Sequence, residues 1–422
     1  MRTTFAFLLA LALAAAGSAQ SGSSKTLDMY FIDTEGGHAT LYVSPSGESL
    51  LMDTGSPGGR DADRIMAVIQ AAGVKQIDHL ILTHYHSDHV GGLQELATRI
   101  PILHFIDHGP TSEPKEQVPG FQKMYAEMNS KVKHTVAKPG DKIPFAGVTV
   151  AVVTSNGEVL KTPLPGGGKP NPACAGFAPR DESRVDPDNP MSVGVVFTYG
   201  KFRTVNLGDF TWNKEQELMC PNNPIGTVDL YLTSHHGIDQ SGSAALVHGL
   251  HPRVAVMHNS TRKGGAIQTM QILHTSPGLE DIWQLHWAYA AGLEQNSPGL
   301  FIANVEDNAT VADVLLNPRP TFGQGRGPGG PGAGTAAAGG RGRRTEHCWT
   351  RRPDRRRRRP GRSHGPGILD QGVRGDGRNV HRDQYPQQLH QDLRGTEIGD
   401  SDIQTNFTDF GVEWDQEVPF PP

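Results

Sequence analysis

The chain has 422 residues, 36% of them hydrophobic, with 39 basic against 44 acidic side chains and a net charge of −5. That is more chain than one core usually organises, so one domain with additional segments is expected. Residues 320–422 hold 16 arginines and 13 acidic residues, leaving 23 basic against 31 acidic side chains before them; an acidic body of this kind is no general electrostatic magnet for nucleic acid.

At the start, Arg2 precedes an apolar run from Phe5 to Ala16 and then the small residues Gly17 and Ala19, the three regions of a secretory signal. Residues 1–19 are therefore expected to be removed, with the mature chain beginning near Gln20 in a secreted or periplasmic setting. The run is shorter than the roughly 20 residues a spanning helix needs, and no later segment is apolar enough, so no membrane span is expected after cleavage.

From residue 27 to about 260, short apolar runs alternate with helical stretches. Residues 27–33, 39–44 and 49–53 read as strands separated by Gly/Ser turns. Residues 61–72 carry Ile65, Val68 and Ile69 at helical spacing. The apolar stretch 79–83 is a further strand, and later ones are expected at 147–154, 191–199, 202–208, 228–234 and 253–258. Export permits a disulfide, and Cys174 and Cys220 both lie in Pro/Asn-rich loops where a cross-link fits. Neither cysteine adjoins a histidine cluster, so neither is read as a metal ligand or nucleophile, and Cys348 has no assigned role. Composition changes near Pro318. Residues 319–422 are Gly/Pro/Arg-rich, too poor in apolar groups over 320–395 to offset chain entropy, and are expected to be mostly disordered. The domain is thus bounded to residues 20–318.

The chemistry-bearing segment is Thr83-His84-Tyr85-His86-Ser87-Asp88-His89. Three imidazoles and a carboxylate directly after a strand suit a borderline divalent metal. The spacing lets His84 and His86 reach one ion while Asp88 and His89 turn back toward a second. Two further strand ends supply more donors: Asp209 in Asn206-Leu207-Gly208-Asp209, and the pair His235 and His236 in Thr233-Ser234-His235-His236-Gly237. Arg262 and Lys263, in NSTRKGG, are possible cationic substrate contacts or plain solvated surface. His258 and His108 either line the pocket or pack in the core.

Asp53 in LLMDTG, the HYHSDH run, Asp209 in LGD and the SHHG segment resemble the successive motifs of the metallo-β-lactamase superfamily, over roughly residues 27–260. The SHHG, NPMSV and LGDF segments are most similar to the hydrolase domain of ComEC-type DNA-uptake proteins. The resemblance implies an α/β fold, an αββα sandwich of two mixed sheets flanked by helices. It also implies two divalent metal ions, Zn²⁺ or Mn²⁺. His84, His86, Asp88 and His89 would be direct ligands, Asp209 would bridge the ions, and Asp53 would support the site from behind. One of His235 and His236, with His235 preferred, would complete the second ion's ligand set. Asn189 stands where many members carry a metal-binding histidine, and an amide oxygen is the weaker ligand.

Two such ions lower the pKa of a shared water to about 7 and clamp the attacked group, which implies a bridging hydroxide as nucleophile, with Asp88 placed to orient it. By the resemblance, an aspartate at position 209 suits a phosphodiesterase, nuclease or thioester hydrolase better than a true β-lactamase, and the ComEC likeness points to a phosphodiesterase or nuclease-like enzyme acting on a small-molecule or nucleic-acid diester. The alternatives are a thioester or lactam hydrolase, and a non-catalytic binding module in which metal serves only structure.

Overall fold

The computed structural model describes residues 26–112, 119–183, 185–288, 296, 302–304 and 403–408. The signal over residues 1–19, Cys348 and all of the tail except 403–408 lie outside the described residues.

Two sheets face one another. The first is built from β1 (Leu27–Ile32), β2 (Thr40–Val43), β3 (Ser49–Met52), β4 (His79–Ile81), β5 (His104–Asp107) and β6 (Lys133–Val136). β1 to β3 form an antiparallel meander, and β3 to β6 run parallel. Residues 403–408, within the segment read as a disordered tail, pair parallel to β1 and extend this sheet's edge. The second sheet is built from β7 (Lys142–Ile143), β8 (Thr149–Ser155), β9 (Glu158–Val159), β11 (Gly194–Tyr199), β12 (Phe202–Asn206), β14 (Leu230–Leu232), β15 (Val254–Met257), β16 (Asp281–His286) and β17 (Ile302–Asn304). A small ribbon of β10 (Lys169–Pro170) and β13 (Asn222–Asn223) stands apart. β7, β8, β11 and β12 are antiparallel, whereas β12, β14, β15, β16 and β17 are parallel.

The alternation of side chains along each strand assigns the layers. Leu27, Met29 and Phe31 of β1 and Leu50 and Met52 of β3 turn toward Val150 and Val152 of β8, Val195 and Phe197 of β11, and Val254 and Val256 of β15, forming the core between the sheets. Tyr42 stacks on Phe197 there, ring centroids 4.0 Å apart. The opposite faces are covered by helices. α1 (Arg60–Ala71) buries Ile65, Val68 and Ile69 against the outside of the first sheet, along with α2 (Ser87–Val90), α3 (Leu93–Leu96) and α4 (Pro119–Asn129). α5 (Trp212–Met219), α6 (Ala244–Leu250) and α7 (Ile267–His274) cover the second. This is the expected four-layer αββα arrangement. No helix among the described residues is long and apolar enough to cross a membrane.

The expected strands are present but shorter: 79–83 yields three paired residues and 228–234 yields three. The residues just beyond their C-terminal ends lead into the His84–His89 and His235–His236 segments. Cys174 and Cys220 are joined, Cα atoms 5.8 Å apart, tying the turn at Pro172–Gly176 to the end of α5.

Candidate metal centre

Five segments end at one rim: Asp53 follows β3, His84–His89 follow β4, Asp209 follows β12, His235 and His236 follow β14, and His258 follows β15. In α/β sheets this carboxyl-end crevice is where ligands are bound, because loops leaving parallel strands splay apart there. The backbone is bent to serve it. Glu35, Asp53, His235 and His236 all have left-handed φ, between 47° and 60°, a conformation costing a non-glycine residue about 1–3 kcal/mol when the surroundings impose it. Four of the six such residues in the described chain lie at this rim.

The side chains converge in two groups. His84 Nε2 and His86 Nδ1 meet at 3.0 Å, with Asp209 Oδ2 3.8 Å from His84. Beside them, His89 Nε2 and His236 Nε2 are 3.1 Å apart, and His236 Nε2 is 3.3 Å from Asp88 Oδ2. Asp209 touches both groups, with Oδ1 3.3 Å from His89 and Oδ2 3.4 Å from His236. Three of the four inward nitrogens are aimed by a partner on the opposite side of the ring. Asp53 Oδ2 lies 2.7 Å from His89 Nδ1, the His258 carbonyl 3.2 Å from His236 Nδ1, and Thr83 Oγ1 3.1 Å from His84 Nδ1. Such outer contacts set the tautomer and leave Nε2 as the free donor atom, as metal-ligating histidines require. Asp53 is itself held by the Thr83 N–H at 2.8 Å and the Thr83 hydroxyl at 2.7 Å.

The electrostatics follow from burial among three carboxylates. Burial would raise Asp88 and Asp209, but Lys263 and His89 around the former, and His235 and His89 around the latter, hold both well below the usual carboxylate range. Burial would depress His89, yet Asp209, Asp53 and Asp88 drive it well above the ordinary histidine value. His84 goes the other way, depressed by burial and by His89 and His86. Deprotonated carboxylates and paired imidazole nitrogens about 3 Å apart form a donor set that fits a borderline divalent ion. The groups His84, His89, Asp209 and Asp88, His89, His236 each place their donor atoms within 4.8 Å of one another.

The expected residues sort as follows. His84, His86, Asp88, His89 and Asp209 come together, and Asp53 stands behind His89. Both members of the histidine pair reach Asp209 Oδ2, the preferred His235 at 3.3 Å and His236 at 3.4 Å, and His236 in addition faces Asp88 and His89. Both positions have a left-handed backbone; His235 also meets Ser241, its Nδ1 3.3 Å from the hydroxyl. Asn189 is buried in a turn that leads to Ser192, whose hydroxyl receives the Asp209 N–H at 3.3 Å; the Asn189 amide oxygen has no hydrogen-bond partner among the described residues. His108 sits on Asp188 at 3.2 Å, beneath Tyr85. His258 packs on His38, centroids 4.7 Å apart. Both serve as supports behind the ligands.

Sequence reasoning missed His38 and Asp188. His38 Nδ1 is 3.0 Å from Asp53 Oδ2, and its ring stacks on His89. Asp188 gathers the Tyr85 N–H, the His108 ring and the Ser112 N–H and hydroxyl, fixing the loop that carries His84 and His86. An isolated His in a Gly-Gly turn gives no signal, and an Asp next to Asn-Pro reads as turn chemistry.

Residues 32–248 match the Metallo-beta-lactamase superfamily. The chain belongs to this superfamily. It is 32% identical over 144 residues to a ribonuclease Z of Methanopyrus kandleri, covering 31% of this chain and 47% of that protein. It is 35% identical over 63 residues to a hydroxyacylglutathione hydrolase of Photobacterium profundum, covering 15% of this chain and 23% of the relative. The chain therefore spans less than half the length of these curated relatives. The metallo-beta-lactamase fold protein YhfI from Bacillus subtilis aligns with 61% of this chain and 94% of its own, at 14% identity and a TM-score of 0.38.

Proposed function

We propose that this metallo-beta-lactamase superfamily hydrolase is a two-metal phosphodiesterase, nuclease-like in its chemistry and acting outside the cytoplasm. The observation that carries the reading is the convergence of two donor groups on Asp209, which reaches toward His84 on one side and toward His89 and His236 on the other. The similarity to a ribonuclease Z supports a phosphodiester as the cleaved group. The ComEC-like SHHG and LGDF segments point the same way, and the export reading rests on the apolar run of residues 5–16.

His84, His86 and Asp209 would hold one ion, with the Asn189 amide oxygen nearby in sequence to Asp188. Asp88, His89, His236 and Asp209 would hold the other. Bound there, zinc or manganese would bring a water to a pKa near 7 and polarise the phosphoryl oxygen. The protein's own contribution is orientation and exclusion of water. Asp53 and the His258 carbonyl fix the ligand rings from behind. His84 and His89 are wholly buried, while the side chains of His86 and Asp88 are 18% and 26% exposed, so substrate enters over His86 and Asp88.

The similarity to a hydroxyacylglutathione hydrolase favours a thioester as the second reading. A panel of a bis-aryl phosphodiester, an RNA oligonucleotide and a glutathione thioester, run on the full chain with zinc or manganese and with Asp209→Ala as control, separates the two. Diester or RNA turnover that vanishes in Asp209→Ala supports the proposal. Thioester turnover alone rejects it.

A further inference from the structure

Two cations, Arg262 and Lys263, are indistinguishable in the sequence NSTRKGG. The structure separates them. Lys263 Nζ lies 2.5 Å from Asp88 Oδ2, the oxygen that also faces His236 at 3.3 Å and His89 at 3.7 Å, and the lysine side chain is only 16% exposed. We propose that Lys263 is the anion-recognising residue of this centre, holding a charged phosphoryl oxygen and so favouring diesters, which carry their charge at the scissile group, over acyl substrates, whose reacting carbonyl is uncharged. The assignment rests on the hydrolytic reading above and specifies its substrate class.

The lysine is placed by backbone, which makes it a fixed feature of the pocket. Ser260 N–H donates to the Lys263 carbonyl at 2.8 Å, and the Ser260 hydroxyl accepts from the Lys263 and Arg262 N–H groups at 3.1 and 3.3 Å, closing a tight turn. Gly264 has φ +92°, and a Cβ there would stand 2.0 Å from the carbonyl oxygen of His236. The turn can therefore sit against that strand end only because residue 264 has no side chain. On its other flank, a Cβ at Gly36 would lie 2.9 Å from Ser260 Oγ and 3.3 Å from Lys263 Cβ. Before the turn, Asn259 clasps His286 twice, donating to its carbonyl at 2.6 Å and accepting from its N–H at 3.2 Å. The turn that carries Lys263 is thus pinned between the segment carrying His236 and the loop carrying His38.

Charge decides what it is for. An ammonium has three N–H donors, and a carboxylate shared with a divalent cation has less negative charge left to hold one. Asp53, Asp88 and Asp209 contribute three negative charges. Two divalent ions and Lys263 contribute five positive ones, leaving a surplus of two. A hydroxide and a phosphodiester anion would neutralise that surplus at the scissile group itself, whereas a thioester or lactam carries no charge at its reacting carbonyl and would leave one positive charge uncompensated there, which is costly in a buried site. The lysine sits at the partly open side of the centre, beside Asp88, where substrate arrives.

The test uses the full chain loaded with zinc, as wild type, Lys263→Met and Lys263→Arg. Inorganic phosphate is titrated into each by calorimetry, metal content is measured on the same samples, and steady-state constants are taken on a bis-aryl phosphodiester. Loss of one charge-assisted hydrogen bond predicts phosphate binding weaker by about 10- to 100-fold in Lys263→Met. KM for the diester should rise more than kcat falls, metal content should hold, and Lys263→Arg should recover most of the loss. Phosphate binding that is absent in wild type or unchanged in Lys263→Met overturns the assignment. So does a loss that follows a fall in metal content, which would make the lysine a scaffold. A fully loaded wild type that binds phosphate through Lys263 yet cleaves no diester would count against the proposed function alone.

Discussion

The first sheet carries two histidine clusters, one at each end of β4, and they behave in opposite ways. At the start of the strand His79 Nδ1 and His104 Nδ1 are 2.9 Å apart, as close as the His89 and His236 nitrogens at the other end. The first pair is closed into a chain: Glu48 Oε1 is 3.0 Å from His79 Nε2, and the Thr135 hydroxyl is 2.9 Å from His104 Nε2. Every ring nitrogen has a partner, one carboxylate serves the chain from its edge, and burial pushes His104 down to about 4. At the other end three carboxylates surround His89 and drive it well above the ordinary value. Imidazoles in contact do not by themselves make a metal centre. Carboxylates converging on inward-facing imidazole nitrogens, on a backbone held in left-handed conformations, mark the candidate.

The largest effect expected of any single change is at Asp209, which both donor groups share. Asp209→Ala should lower turnover by more than the about 10- to 100-fold that loss of an outer support costs, with at least one ion missing by elemental analysis. The next substitution tests the choice within the histidine pair. His236→Ala should lose metal from the group with Asp88 and His89, while His235→Ala should keep it; metal loss in His235→Ala alone would reverse the assignment. Asp53→Asn keeps the shape but weakens the grip on His89 Nδ1, and should reduce metal affinity by about 10- to 100-fold in a chelator competition.

The contrasting cluster should respond only in stability. His104→Leu leaves His79 and Thr135 without a buried partner, a cost of about 1–3 kcal/mol, read as a lower melting temperature with metal content and turnover retained. A last prediction concerns a buried carboxyl away from both clusters. Burial raises Glu215 to about 8 from 4.5, against the backbone N–H groups of Gly242 and Ser243 that it accepts at 2.7 Å. A raised folded value means that the folded chain binds the extra proton. The associated stability is complete below about 4.5 and is lost as pH rises through about 8. Melting temperatures across that window should fall in wild type, and the slope should flatten in Glu215→Gln.

Much of this was legible in the residues. The His84–His89 run announces a metal chemistry by density, and Ile65, Val68 and Ile69 mark the buried face of α1 by their spacing. What resisted reading depends on backbone direction. His235 and His236 differ by one position in an unusual conformation, and periodicity carries no information about which ring turns inward. His38 and Lys263 come from loops 225 residues apart in the chain, and only the face-to-face packing of the two sheets brings both to Asp88 and its neighbours. β6 was missed because its residues are mostly exposed, so that KHTV has no apolar alternation to detect. Residues 403–408 pair with β1 across a long intervening segment whose composition signals no structure of its own.

The most direct test of the account is metal content of the folded full chain after loading with zinc or manganese, compared with Asp209→Ala and His104→Leu on the same day. The account predicts about two ions per chain in wild type and in His104→Leu, as a two-metal site requires, and at most one in Asp209→Ala. Folded wild type that takes up no metal, or metal that disappears with His104 while surviving the loss of Asp209, would contradict it.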